Sequence, residues 1–81
     1  MTHELKTHPV YYQAVIDGIK GFELRWDDRR FEVEDVLRLR EYDPATGKYT
    51  GRYCYVWVDY ILRCHPGIDL GWCIMSVKQI V

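Results

Sequence analysis

Polar and apolar residues alternate through "THELK", which predicts a short first strand with His3 and Leu5 on its inward side. The alternation then stops. "HPVYYQAVIDG" carries apolar residues at helical spacing; Pro9 suits a first helical turn, Thr7 or His8 can cap it, and Gly18 can end it in the left-handed conformation. Tyr11, Ala14 and Val15 form the expected inward face of this helix, flanked by Tyr12 and Ile16. From there on the period is two. Residues 20–26 predict a second strand in which Phe22, Leu24 and Trp26 are the core side and Glu23 and Arg25 alternate with them. In "EVEDVLRLREYD" a third strand runs from about Asp35 to Tyr42, with Leu37 and Leu39 inward and Arg38, Arg40 and Tyr42 outward. "DPATGK" is a turn that pairs it with a fourth strand, "RYCYVWVDYILRC". There the even positions Cys54, Val56, Val58, Tyr60 and Leu62 suit the core, while Tyr53, Tyr55 and Trp57 share the other face, followed by Asp59. "HPGIDLG" is a second turn and "WCIMSVKQI" the last strand. One short helix and about five strands predict a mainly β, α+β domain: a small, largely antiparallel barrel whose closure would remove exposed strand edges.

Composition narrows the class. Residues 1–81 make one domain without linker or repeat, and a chain this short buries only about 60–65% of its unfolded surface. With 48% hydrophobic residues, including seven Tyr, three Trp and two Phe, the material for a core is present. No apolar run approaches the ~20 residues of a membrane span, and "MTHELKTHP" lacks the apolar stretch of a signal peptide. A cytoplasmic protein with no membrane partner is expected. The three cysteines, Cys54, Cys64 and Cys73, fit buried or free thiols in a reducing compartment better than a disulfide framework. Cys64 and His65 adjoin, but no C-x-x-C or H-x-x-x-H spacing supports a metal, and no cofactor is implied. His3, His8 and His65 read as strand-end, capping and turn residues.

A net charge of −1 argues against a protein that coats DNA, although not against a local basic site. Seven of the eleven basic residues fall between positions 25 and 52, interleaved with acidic ones. Lys20, Glu23 and Arg25 are more pointed. Glu23 and Arg25 lie two apart on a strand, so they share a face and can pair. Arg25 offers a planar fork to a phosphate or carbonyl edge, and Glu23 can hold that fork or accept from a base amino group. Lys20 joins them if Gly18 or Gly21 bends the backbone. The plainer alternative is a surface ion pair contributing about 0–1 kcal/mol. The row Tyr53, Tyr55, Trp57 also has two readings. Bases can stack there with Arg38 or Arg40 taking phosphates, or the helix or a second subunit covers the face; the second is favoured, and it makes a monomer or weak homodimer the expected state.

Gly18, Lys20, Glu23 and Arg25 in "GIKGFELR" match G-x-K-x-x-E-x-R. That spacing, after a short helix and at the opening of a barrel strand, resembles the ASCH domains of the PUA-like superfamily. From His3 to Gly51, with "HELK" at one end and "FEVEDVLRLREYDP" towards the other, the chain looks like the small stand-alone ASCH-related group of unknown function in bacteria and phages. The resemblance implies a PUA-like β-barrel with a helix beside a cleft, Lys20, Glu23 and Arg25 lining that cleft, and RNA or nucleotide-like ligands. A non-catalytic RNA- or nucleotide-binding module is the leading expectation. A small hydrolase acting on a modified nucleoside or RNA is the alternative. In the related amidohydrolases the motif lysine acts with a threonine and a later glutamate; Lys20 fits the lysine, but Glu23 stands at the threonine position and the later segment has no counterpart. If this chain is an enzyme, Lys20 and Glu23 are the catalytic candidates. A phage or mobile-element protein that binds a host protein through the aromatic face is the third.

Overall fold

A computed structural model describes residues 1–80. The elements follow the predicted order: β1 (Thr2–Thr7), α1 (Pro9–Ile16), β2 (Phe22–Trp26), β3 (Val36–Asp43), β4 (Lys48–Leu62) and β5 (Trp72–Gln79). The strands form one sheet in the order β1-β3-β4-β5-β2. β1 runs parallel to β3, and the other three pairings are antiparallel. The sheet curls into a half-barrel with α1 against its inner face, where Val15 joins Leu5, Leu37, Leu39, Val56, Val58, Met75 and Val77 in the core.

The predicted closure does not occur through a ladder. β1 and β2 are the two ends of the strand order and share no backbone pairing. The curl nevertheless brings them close enough for side chains to span the gap. Arg25 of β2 donates from Nη2 to the Lys6 carbonyl at 2.6 Å, and Arg29, from the following loop, donates to the Glu4 carbonyl. Two guanidinium groups therefore occupy acceptors on the free edge of β1 that a neighbouring strand would otherwise take.

Three local expectations are corrected. In β2 the faces are exchanged. Phe22, Leu24 and Trp26 are 48–52% exposed, while Glu23 is 3% exposed. Alternation assigns residues to two faces but does not say which is inside, and here the interior side supplies cations that compensate the carboxylate. In β4 the even positions leave the core at Tyr60. The β4–β5 register shifts between Val58 and Tyr60, an extra residue that turns Tyr60 outward and lets Ile61 pack on the core. In α1 the buried residues are Tyr12 and Val15, three apart on one face, and Tyr11 is half exposed. The helix has His8 as its N-cap with no side-chain cap bond, so Thr7 is a strand residue and caps nothing.

Candidate functional site

The site begins at the end of α1. Gly18, at φ +75, makes the left-handed turn that an L side chain resists, and the Ile19 and Lys20 amides both donate back to the Ala14 carbonyl, at 2.9 and 3.0 Å. This cap sets Lys20 beside the start of β2, so Gly18 makes the bend. Lys20 Nζ then donates to the Phe22 carbonyl and to Glu23 Oε1, both at 2.7 Å. Arg25, two residues further along the same face, donates from Nε to Glu23 Oε2 at 3.0 Å. One buried carboxylate is thus gripped on each oxygen by a different cation, and Arg25 continues to the Lys6 carbonyl across the seam. The three residues singled out from the motif come together as a unit.

They line a cleft of about 590 Å³ between the β1 and β2 edges. Its wall is aromatic. Trp26 and Trp72, cross-strand partners on β2 and β5, meet edge to face at 5.9 Å, and Tyr11 and Phe22 flank Lys20, whose ammonium lies 5.9 and 5.0 Å from their ring centroids. Gly71 allows the tryptophan arrangement: at φ +91, a Cβ there would sit 2.6 Å from the Trp26 ring. The loop after β2 is pinned at both ends by aspartates. Asp27 Oδ1 accepts from the Phe31 amide at 3.1 Å, and Asp35 Oδ2 accepts from the Glu32 amide at 3.0 Å. This holds Phe31 under the cleft and Arg29 at its rim.

Two of these anchors are electrostatically tuned. The Arg63 guanidinium, bonded to Asp27 at 2.5 Å, holds that carboxyl below its ordinary range despite partial burial. Burial pushes Asp35 upward, but bonds from the Glu32 amide, His3 and the amino terminus outweigh it and the net direction is down. Cys54 lies deeper. Burial pushes its thiol up, against a hydrogen bond from Tyr12, and the Glu23 charge adds to the rise. Among the described residues no group of three or more His, Cys, Asp or Glu is placed to hold a metal ion.

Arg38, Arg40, Tyr55 and Trp57 lie elsewhere. They are on the outer face of the sheet, where Arg38 and Arg40 both reach Glu4 Oε1, at 3.0 and 3.3 Å, and stack over Tyr53 and Tyr49. Tyr53, Tyr55 and Trp57 are 38–50% exposed, and α1 packs against the opposite face, so the helix does not cover this row. Sequence reasoning also missed the aromatic wall, because Trp26 and Phe22 were assigned to the core. It missed the His3–Asp35 pair as well: His3 Nε2 lies 2.8 Å from Asp35 Oδ2 and packs edge-on against Phe31. The available signal was the inward position of His3 beside Leu5.

A family described as Domain of unknown function (DUF3850) matches residues 2–77. The chain belongs to this family. Within it, the cleft, the seam and the outer face all fall inside the matched region. The chain is also similar to an uncharacterized 12.9 kDa protein in the GpA 3' region of Escherichia phage P2, 42% identical over 50 residues. That stretch is 62% of this chain and 44% of the phage protein, so the match spans less than half the length of this relative.

Proposed function

We propose that the DUF3850 chain is an ASCH-related, PUA-like module that binds a nucleotide or single-stranded RNA in the β1–β2 cleft. The observation that carries this reading is the Glu23 carboxylate, 3% exposed and clamped by Lys20 and Arg25 beside an aromatic wall. A surface ion pair has no reason to be buried, since burial costs several kcal/mol per ion before compensation. Lys20 has three N–H donors and uses two within the protein; Arg25 keeps Nη1 beyond its bonds to Glu23 and Lys6. These spare donors suit carbonyl or phosphate oxygens, and the aromatic wall suits a base, where stacking contributes about 1–3 kcal/mol. Three unpaired thiols support a reducing, cytoplasmic setting.

Binding is weak and salt-dependent, because a chain of net charge −1 neutralises few phosphates. Calorimetric titration with ribonucleoside monophosphates and short single-stranded RNAs at low salt tests it. Lys20→Ala and Arg25→Ala each weaken binding by about 1–3 kcal/mol, with folding checked by circular dichroism. Absence of any binding by the wild type would sink the proposal. The 2.7 Å Lys20–Glu23 contact also gives the hydrolase reading an acid–base pair within reach of a ligand. Glu23→Gln turns an amide donor onto one of the two cations, so it loosens the clamp and weakens binding in either reading. Incubating the wild type with acetylated cytidine or RNA separates the two, because only a hydrolase releases product.

A further inference from the structure

Among the described residues, Thr7 is the one cleft-lining residue with a buried side-chain polar atom that has no partner. It is 3% exposed, faces inward with His3 and Leu5, and among the described residues its hydroxyl has no hydrogen-bond partner. Its cross-strand neighbour Glu41 bonds elsewhere, Oε1 accepting from the Thr50 hydroxyl at 2.7 Å, and no bond joins Glu41 to Thr7. The adjacent helix does not use it either, since the N-cap is His8 with no side-chain bond. A buried hydroxyl left unpaired is destabilising, and native proteins tend to retain one where something else uses it. The hydroxyl is itself covered in the free protein, so it reaches an occupant of the cleft only by rotation about the Cα–Cβ bond, which exchanges hydroxyl and methyl between staggered positions.

We propose that Thr7 is a specificity-determining residue that hydrogen-bonds the polar edge of a nucleobase, opposite Lys20, Glu23 and Arg25 across the seam. This rests on the cleft being a nucleotide site and adds which part of the ligand enters it. Thr7 is on β1 and the charged trio is on or beside β2, so a ligand touching both bridges the two unpaired edges. The spare donors of Lys20 and Arg25 answer the charge of a phosphate, which a neutral hydroxyl does not, so a phosphate settles on them before it settles on Thr7. A flat heterocycle fits better. It offers donors and acceptors along one edge, and a threonine hydroxyl can answer either. Its faces meet Tyr11, Phe22, Trp26 and Trp72.

Thr7→Val keeps the shape and removes the hydroxyl, which gives two readouts of opposite sign. Thermal unfolding of the free protein shows an unchanged or raised midpoint, because nothing in the fold uses the group. Titration with cytidine, uridine, adenosine, guanosine and ribose 5-phosphate shows affinity for the preferred nucleoside falling roughly five- to thirty-fold. Thr7→Ser retains it, and any response to ribose 5-phosphate is the same in wild type and Thr7→Val. A lowered midpoint in Thr7→Val that Thr7→Ser restores overturns the proposal by showing that the hydroxyl is structural. Equal nucleoside affinity in wild type and Thr7→Val overturns it while leaving the nucleotide reading intact. Binding of none of these probes by the wild type overturns the Thr7 proposal. The nucleotide reading falls with it only if nucleoside monophosphates and single-stranded RNA also fail to bind.

Discussion

Two carboxylates in this protein are each held by two cations, one on each side of the sheet. On the inside, Glu23 is bonded by Lys20 and Arg25 at 2.7 and 3.0 Å; on the outside, Glu4 is bonded by Arg38 and Arg40 at 3.0 and 3.3 Å. Each cluster sets one glutamate between two cations, and the distances are alike. What differs is water: the Glu23 side chain is 3% exposed and that of Glu4 49%. Outside, solvent screens the attraction and either partner can return to water at little loss. Inside, neither oxygen of Glu23 has water to fall back on, so both cations are obligatory and their geometry is fixed. Counting charges would rank the two clusters equal, or favour the outer one for its arginines and tyrosines. Burial of the counter-ion is what sets the inner cluster apart, and the binding proposal rests on that difference.

The largest test of that contrast removes each carboxylate in turn. Glu23→Ala strips a buried anion from two largely covered cations, and unfolding in urea shows a loss of about 2–4 kcal/mol, below the full buried-pair figure because Lys20 and Arg25 retain some exposure. Glu4→Ala costs under about 1 kcal/mol. Equal losses would erase the distinction between the two faces.

A smaller contrast lies in the arginines. Arg25→Ala loses the bond to Glu23 and the clasp on the Lys6 carbonyl, so it costs about 1–3 kcal/mol, whereas Arg38→Ala costs under about 1 kcal/mol. If Arg38→Ala were the more damaging, the outer cluster would be the structural one and the seam would hold without its clasp.

The acid limb extends the comparison to two further carboxylates. Asp35 and Asp27 both titrate below the ordinary range when folded. For such groups the folded state binds its protons less readily than the unfolded one. Their contribution to stability is therefore complete above the ordinary carboxylate pKa of about 4 and is lost as pH falls through the lower folded values. The melting temperature drops on acidification below about pH 4, and Asp35→Asn flattens that drop. A drop of unchanged steepness in Asp35→Asn would remove Asp35 from the account.

Much of this architecture can be read from local pattern. The strand periods, the Gly18 stop and the "DPATGK" turn are local signals, and five strands and one helix stand close to where those signals put them. Lys20, Glu23 and Arg25 are also local: they lie within six positions, and the helix cap that gathers them is written in the same stretch. Facing is not local. Phe22, Leu24 and Trp26 outweigh Glu23 and Arg25 in hydrophobicity, yet the charged pair turns inward because β2 is an edge strand whose inner side meets a cleft. The slip after Val58 is likewise decided by pairing with β5, since nothing in "VWVDYIL" spells an extra residue. The His3–Asp35 bond joins residues 32 apart, and no spacing rule reaches that far.

The most direct test of the inner site is a ¹H–¹⁵N titration of the wild-type protein with nucleotides and a short single-stranded RNA at low salt. The account predicts shifts at Thr7, Lys20, Glu23 and Arg25 and at the Trp26 indole, with Arg38, Arg40, Tyr55 and Trp57 unmoved. Shifts confined to the outer face, or no shifts at all, would contradict it.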